Sequence, residues 1–148
     1  MHNGGVSAPL VLAVPFNSDL GRLGVALRTD VFVGEQHVPP ELEHDAYDAT
    51  ATHVVALTAG DVVGVLRIVF LPEHAKIGRV AVSRAARGKG IASAMMRFAM
   101  ALARERGESR LYLTSQLDKV GMYERLGFTP FGEEFVEAGM PHMEMKTY

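Results

Sequence analysis

Three stretches of the chain carry apolar residues at the spacing of an α-helix. The first follows Ser18, a good N-capping residue, and ends near Gly34, ahead of two prolines that cannot continue a helix. The second lies between Gly90 and Gly107, and the third is a short helix over residues 117–126. The apolar stripes of the first two helices are Leu20, Leu23, Leu27 and Val31, and Ile91, Met95, Phe98 and Leu102.

The other apolar stretches are rich in β-branched residues and predict strands over 10–14, 52–58, 61–71, 76–82, 111–114, 128–131 and 142–145. The acidic, turn-rich segment 41–50 predicts a loop. The order is β-α-β-β-β-α-β-α-β-β, with antiparallel hairpins first and β-α-β crossovers later. This order predicts an α/β protein with a mixed sheet. The length of 148 residues predicts one domain over 1–148.

Composition removes several classes of function. The chain has no cysteine, which excludes disulfides, thiolate metal sites and a cysteine nucleophile. The net charge of −2 argues against a general nucleic-acid binder, and no His-x-x-x-His pair is present, so we expect no metal. No apolar run is long enough to span a membrane, and residues 1–9 lack the pattern of a signal peptide, so we expect a cytoplasmic protein.

The strongest chemical signal is the basic, glycine-rich turn that joins the strand 76–82 to the second helix. Gly88 and Gly90 let the backbone approach a ligand closely, and the free N–H groups at the start of the helix attract an anion. Arg84, Arg87 and Lys89 add positive charge. The turn lacks the spacing of a Walker P-loop or of a dinucleotide-binding motif. It predicts a phosphate site, and the alternative is a plain strand-to-helix turn.

Two motifs resemble the GNAT superfamily of N-acetyltransferases. Arg-x-x-Gly-x-Ala, from Arg87 to Ala92, resembles the coenzyme-binding motif of that family, and Tyr-x-x-x-Gly-Phe, from Tyr123 to Phe128, resembles its downstream segment. Residues 31–36 and 137–142 look like one bacterial branch of small, mostly uncharacterised members. The chain departs from many members at Gln116, where they carry asparagine.

The resemblance implies a GNAT-like acyl-CoA N-acyltransferase fold in which acetyl-CoA lies between two splayed central strands. It implies that the pantetheine arm pairs with the backbone of Val80, Ala81 and Val82, and that Gln116 contributes a side-chain amide. It also implies that Tyr123 is the general acid for the departing thiolate. The pyrophosphate is expected on Arg87, Gly88, Lys89, Gly90, Ile91, Ala92 and Ser93.

The base that activates the acceptor is less well defined by the sequence. In the implied fold Glu35 borders the acceptor pocket, as a base or an acceptor contact. The acids Glu41, Glu43, Asp45 and Asp48 are expected on a solvated loop; if they line the pocket instead, they favour a cationic acceptor. Three further residues have alternative interpretations. His53 and His142 each have either a structural role or the role of the general base. Arg67 pairs with the acidic loop, pairs with an anionic group of the acceptor, or reaches solvent.

The leading hypothesis is an acetyl-CoA-dependent N-acetyltransferase in which a primary amine of a small molecule or peptide attacks the thioester directly. One alternative is a non-catalytic acyl-CoA-binding or sensor domain. Another is an acyltransferase with a non-amine acceptor or a longer acyl chain. The presence of both the turn and Tyr123 favours the enzyme. No nucleic-acid or membrane partner is expected, and a homodimer is compatible with the sequence.

Overall fold

The computed structural model describes residues 8–148. The prediction that residues 1–9 do not form a signal peptide concerns positions that lie mostly outside this range. The described part holds seven strands in one sheet, in the order β1-β2-β3-β4-β5-β7-β6. The strands are β1 (Leu10–Val14), β2 (Thr52–Thr58), β3 (Asp61–Phe70), β4 (Ala75–Val82), β5 (Leu111–Gln116), β6 (Thr129–Glu137) and β7 (Met140–Lys146).

Four α-helices connect these strands: α1 (Asp19–Arg28), α2 (Pro40–Glu43), α3 (Ile91–Glu105) and α4 (Val120–Arg125). Short 3₁₀ turns cover Ala46–Ala49, Arg84–Ala86 and Leu117–Lys119. The predicted order of elements is confirmed, and so is the mixed α/β class. The loop predicted over 41–50 is wrong in part, because it contains the last turn of α2 and one of the 3₁₀ turns.

The one parallel pairing in the described sheet joins β4 to β5, and it is very short. It comprises two residue pairs, Ala75 with Leu111 and Lys76 with Tyr112. Beyond Lys76 the two strands separate, whereas β5 goes on to pair with β7 as far as Gln116. The separation leaves the part of β4 after Lys76 without a strand partner on its β5 side. The sequence predicted such a gap between two splayed central strands.

The main core lies between this sheet and α3. The buried face of α3 consists of Ile91, Met95, Met96, Ala99 and Ala103, whereas Phe98 and Leu102, which were predicted for this stripe, are only partly buried. The two alanines keep the helix slim where it crosses the sheet. The approach is so close at Gly64 on β3 that a Cβ atom there would lie 2.8 Å from the Met95 sulfur.

The first helix changes its hydrogen-bonding pattern where α1 ends. The α-helical pattern stops at Arg28, and Thr29–Glu35 continue as a π-helix, in which the Gln36 N–H donates to the Val31 carbonyl. The helical segment therefore ends close to the predicted Gly34. The wider turn follows directly on Arg28, whose side chain is completely buried.

Arg28 is buried because it pairs with the acidic segment that the sequence placed in solvent. Its Nε donates to Glu43 Oε1 at 2.8 Å, and its Nη1 donates to Asp48 Oδ1 at 2.8 Å. Glu43 is 1% exposed and Asp48 is 5% exposed. The predicted solvated loop is thus wrong for these two residues, although Glu41 is exposed as expected. The partners come from distant parts of the chain, which local sequence pattern does not reveal.

Two further arginines complete a charge cluster, which we define as Arg28, Arg67 and Arg79 with Glu43, Asp45 and Asp48. Arg67 on β3 donates to both Asp45 oxygens, at 2.6 and 2.7 Å, and to Asp48 at 2.8 Å. Arg79 on β4 donates to the carbonyl oxygens of Leu42 and Glu43. Three positive and three negative side chains therefore join α1, β3 and β4 to the segment that carries α2.

Arg28→Met tests the contribution of this charge cluster to stability. Methionine fills similar space but leaves two buried carboxylates without their main partner, so we expect a loss of about 3–5 kcal/mol in the free energy of unfolding. The matched control is Arg22→Met in the same helix, whose pair with Asp19 is exposed; this change is expected to cost less than about 0.5 kcal/mol. Urea unfolding of both variants measures the difference. Similar small losses in both would show that the cluster does not hold the fold.

Candidate active site

A cavity of about 490 Å³ occupies the gap between β4 and β5. This volume is typical of a small-molecule site. Both strands contribute to its walls, and α2, the π-helix, α4 and the β6–β7 hairpin close it. The lining includes Phe32, Gln36, Glu43, Asp45, Arg67, Lys76, Gly78, Arg79, Val80, Thr114, Gln116, Lys119, Tyr123, Glu137 and His142.

A β-bulge in β4 forms one wall of the cavity. Val65 on β3 pairs with Ala81 and Arg67 pairs with Gly78, so that two residues of β4 lie opposite one residue of β3. Arg79 in the bulge has a φ of 54°, a left-handed conformation that is strained for a side chain of its size. The strain is compensated by the hydrogen bonds of its guanidinium group to the α2 segment.

The bulge is followed by the strand segment that was predicted to pair with a pantetheine arm. Val80 lines the cavity, while Ala81 is buried between β3 and α1. The β5 side of this segment has no strand partner within the described sheet. Its N–H and C=O groups on that side are available to an extended ligand.

The glycine-rich turn has the open geometry that the phosphate prediction requires. Gly88 and Gly90 have φ values of 77° and 80°, which favour glycine, and a Cβ atom at either position would meet no other atom within 4 Å. The cap residue of α3 is Gly90, which provides no side-chain hydrogen bond. The N–H groups of Ile91, Ala92 and Ser93 are therefore free of a capping side chain at the positive end of a 15-residue helix.

Lys89 and Arg87 extend from this turn in different ways. Lys89 is exposed. Arg87 is held against the protein, because its Nε donates to the Val82 carbonyl at 2.9 Å and its two terminal nitrogens donate to Glu35 at 2.8 and 3.0 Å. Arg84 lies 3.4 Å from the same carboxylate.

Glu35 consequently lies beside the phosphate turn and not beside Tyr123. It is not among the residues that line the cavity. Hydrogen bonds from Arg87 lower the pKa of the Glu35 carboxyl. A carboxylate with a lowered pKa is a weaker base, so this arrangement gives no support to the predicted role of Glu35 in activating an acceptor.

Tyr123 on α4 lines the cavity and is 7% exposed. The Tyr-x-x-x-Gly-Phe motif has a local reason: Gly127, with a φ of 102°, reverses the chain so that the Phe128 N–H donates to the Tyr123 carbonyl and the Phe128 ring packs edge-on against Tyr123. Burial raises the pKa of the Tyr123 hydroxyl to about 12. The phenol therefore keeps its proton at neutral pH.

Gln116 reaches the cavity from the end of β5. Its side-chain nitrogen donates to Gln36 Oε1 at 2.9 Å, which connects β5 to the helical segment on the other side of the opening. Many members of the family that the sequence resembles carry asparagine at this position. The longer side chain of Gln116 allows it to reach Gln36 across the cavity. Gln116 also pairs in register with His142 on β7.

One wall of the cavity is formed by the segment that carries α2, and the negative charges of its acids are neutralised by arginines. Burial alone would raise the pKa of Asp48, but hydrogen bonds and positive charge from Arg28 and Arg67 outweigh this effect and lower the pKa to about 2. The pKa of Asp45 is likewise lowered, chiefly by its hydrogen bond from Arg67. Since each acid of the charge cluster has an arginine partner, Glu43 and Asp45 line the cavity without giving it a net negative charge.

The two residues that the sequence left ambiguous near this wall are settled by their contacts. Arg67 pairs with the acidic loop. His53 is buried, stacks on Phe16 and bonds through Nε2 to the Asp48 carbonyl at 2.8 Å, so it is structural. The residues that sequence reasoning missed are Gln36, Arg79 and Glu137, which reach the cavity from a π-helix, a bulge and a hairpin end. Gln36 and Glu137 lie in the family-like segments 31–36 and 137–142, but the sequence pattern assigned neither of them a role, and Arg79 has no local signal.

Within residues 8–148, no group of three or more acids and histidines is arranged to hold a metal ion. In the same part of the chain, no helix has the length and apolar character needed to cross a bilayer.

A mixed sheet that opens between β4 and β5, with a glycine-rich turn at the start of α3, defines an acyl-CoA N-acyltransferase fold. The model of the Acetyltransferase (GNAT) family matches residues 25–128. The chain belongs to the GNAT family of acetyltransferases. It is therefore an enzyme of acyl-CoA-dependent acyl transfer, as its sequence predicts.

Individual relatives agree with this assignment. The uncharacterized N-acetyltransferase YjcF of Bacillus subtilis is 32% identical over 120 residues, which cover 80% of this chain and 86% of YjcF. The crystal structure of an acyl-CoA N-acyltransferase from Pseudomonas aeruginosa is similar with a TM-score of 0.84 and 30% identity, and covers 95% of this chain and 100% of that one. Escherichia coli ElaA has the same TM-score of 0.84 with 27% identity and the same coverage.

Proposed function

We propose that this protein transfers the acetyl group of acetyl-CoA to a primary amine of a small molecule or peptide by direct attack on the thioester. The observation that carries the proposal is the unpaired edge of β4, which joins the cavity lined by Val80 and Tyr123 to the open glycine turn that follows the strand. A cytoplasmic location, a homodimer and a single domain over 1–148 stay predictions from the sequence.

The cavity and its rim fit acetyl-CoA. The pantetheine arm carries amide groups, which can pair with the open edge of β4 over Val80, Ala81 and Val82, where the Val82 carbonyl already accepts a hydrogen bond from Arg87 Nε. The pyrophosphate carries negative charge, which matches the α3 N-terminus and the cations at Arg87 and Lys89. Gly88 and Gly90 leave the space above the turn free for the phosphates. We expect Gln116, on the opposite strand, to contact the arm near the thioester, although its amide nitrogen donates to Gln36 in this structure.

Tyr123 is suited to assist the departure of the CoA thiolate. A thiol has a pKa of about 8.5, so a phenol with a pKa of about 12 does not protonate a thiolate unaided. It can donate a hydrogen bond to the sulfur, and it can pass its proton on as it receives one from the nitrogen that is becoming an amide. The phenol is then a proton relay whose charge is the same before and after the reaction.

A panel of amines and lysine-containing peptides, mixed with acetyl-CoA while released thiol is measured, tests the function. The enzyme contributes no background signal, because it has no cysteine. We expect thiol release with at least one amine, and a product heavier by one acetyl group. We also expect CoA at a hundred times its Kd to stabilise the fold by about 2.7 kcal/mol, seen as a higher Tm.

The other outcomes of that panel separate the alternatives. A raised Tm without thiol release from any acceptor would indicate a non-catalytic acyl-CoA-binding domain. Thiol release only with hydroxyl acceptors, or only with longer acyl-CoA donors, would indicate a different acyltransferase. An unchanged Tm with saturating CoA would contradict the assignment of the cofactor site.

Gly90→Asp tests the phosphate turn. The carboxylate opposes the pyrophosphate, so we expect CoA affinity to fall at least tenfold, about 1.4 kcal/mol, by calorimetry. Gly90→Asn has the same shape without the charge and is tolerated at positive φ, so it should lose less. Gly60→Asp is a control for strain, because Gly60 has a φ of 85° and open space but lies in the β2–β3 turn. Equal affinity in the Gly90 variants and the native protein would show that CoA binds elsewhere.

Tyr123→Phe tests the proton relay. The ring and its packing on Phe128 remain, and only the hydroxyl is removed. We expect turnover to fall by about tenfold to a thousandfold while CoA affinity stays the same, since general acid catalysis contributes on this scale. Tyr112→Phe is the matched control, because its hydroxyl bonds to Glu144 outside the cavity. Equal losses of turnover and CoA binding in Tyr123→Phe would mean that the residue only packs.

A further inference from the structure

His142 is a buried histidine with one nitrogen fixed and the other open. It is 6% exposed and lines the cavity from β7. Its Nδ1 lies 2.8 Å from the carbonyl oxygen of Met140. A carbonyl oxygen only accepts, so Nδ1 carries a proton, and in the neutral ring Nε2 is the unprotonated nitrogen.

Nε2 of His142 has no hydrogen-bond partner among residues 8–148, yet it is not sealed from solvent. In that part of the chain, the one sealed polar side-chain atom without a partner is Oε2 of Glu43. Nε2 therefore has some contact with solvent, and the side chain that carries it lines the cavity. An imidazole whose proton is fixed on the far nitrogen presents a lone pair to a ligand in that cavity.

Glu137 faces the same point from the neighbouring strand. Ala138 and Gly139, both with positive φ, form the two-residue turn of the β6–β7 hairpin, so that Glu137 and His142 lie near the same hairpin end. Oε2 of Glu137 is 3.7 Å from Nε2 of His142. This separation is too long for a good hydrogen bond between them.

The separation suits a third group instead. An ammonium nitrogen has three N–H donors, and its hydrogen bonds are about 2.9 Å long, so one nitrogen can reach two acceptors that are 3.7 Å apart. Elsewhere in the cavity the acidic side chains of the charge cluster already have arginine partners. Oε2 of Glu137 accepts a long hydrogen bond, of 3.5 Å, from Thr114 Oγ1, but its carboxylate has no lysine or arginine partner among the described residues. At the Glu137–His142 pair a cation in the cavity therefore finds a carboxylate that no cation neutralises, next to a base.

We infer that Glu137 and His142 form the subsite for the acceptor's ammonium group, and that Nε2 of His142 is the base that deprotonates it. This inference rests on the proposed function. It defines the acceptor class as amines that are protonated at neutral pH, such as alkylamines and lysine side chains. Glu137 binds the ammonium group and then stabilises the imidazolium ion.

The proton balance is complete with the groups present. Nε2 takes one proton from the ammonium group, and the nitrogen lone pair then forms a bond to the thioester carbonyl carbon. The C–S bond breaks, its electron pair leaves with sulfur, and the second proton of the nitrogen passes through the Tyr123 hydroxyl to the thiolate. His142 releases its proton to solvent. The sum is an amide, CoA thiol and one free proton.

His142→Asn tests the base, because the asparagine amide can still donate to the Met140 carbonyl while no group replaces Nε2. We expect kcat/KM for the best alkylamine of the panel to fall about a hundredfold at pH 7. The loss should shrink as pH rises, since the neutral fraction of the amine grows about tenfold per pH unit below its pKa. A purely structural loss would not depend on pH.

The charged group in contact with His142 Nε2 is Glu137 on β6, at 3.7 Å, while Glu144 on the same strand as His142 accepts from the Tyr112 hydroxyl. The other titratable groups that line the cavity are Glu43, Asp45, Tyr47, Arg67, Lys76, Arg79, Lys119 and Tyr123. Glu137→Gln should raise KM for the alkylamine about tenfold and leave CoA affinity unchanged. Glu134→Gln, an exposed change on the same strand, and His53→Gln, at a buried histidine outside the cavity, are the controls.

The outcomes separate this inference from the function on which it rests. A wild-type enzyme that binds CoA but acetylates no amine would overturn both. Wild-type turnover with undiminished turnover in His142→Asn would overturn the inference alone. A loss in His142→Asn that is the same from pH 7 to pH 9.5 would also overturn it, because it would show that His142 and Glu137 form only a structural ion pair.

Discussion

Arg28 has no path to solvent, and this one guanidinium group determines much of what surrounds it. A buried arginine cannot lose its proton, so it requires carboxylates within hydrogen-bond distance. Glu43 and Asp48 supply them, and Arg79 and Arg67 lie beside these carboxylates because one positive charge does not balance two negative charges. The segment that carries α2 is therefore fixed to the sheet by charge, and not by a large apolar face.

This mode of attachment has a consequence for the chemistry of the cavity. The segment forms one wall, yet its acids are neutralised within the wall. In the acceptor subsite that we infer, recognition of the acceptor's charge falls to the wall formed by the hairpin, where Glu137 and His142 lie. On that inference, ion pairs hold one wall of the cavity in shape and the other wall binds the reacting nitrogen.

The sequence predicted the parts of this molecule that depend on local pattern. The strands, α3 and the glycine turn followed from periodicity and from residues whose backbone preferences are strong, such as Gly88 and Gly90. The Tyr-x-x-x-Gly-Phe motif likewise combines neighbours that pack on each other. Homology motifs added the class of enzyme, which the family match confirmed.

The sequence did not predict the parts that depend on long-range pairing. The acids at 43 and 48 have the composition of a solvated loop, and only the fold reveals that arginines from α1 and β3 lie over them. The strand β6 was predicted to end at 131, because its bulge after Phe131 and its exposed glutamates interrupt the alternation. Glu137 therefore lay outside the predicted strand, and no role was predicted for it.

The two-pair contact between β4 and β5 also divides the sheet into two parts. Strands β1 to β4 with α3 form one leaf, and β5, β7 and β6 with α4 form the other, and the seam at Ala75 and Lys76 joins their backbones. A cosubstrate that pairs with the open edge of β4 and meets Tyr123 would span the gap beyond this seam, from one leaf to the other. Its binding would therefore depend on the distance between the two leaves.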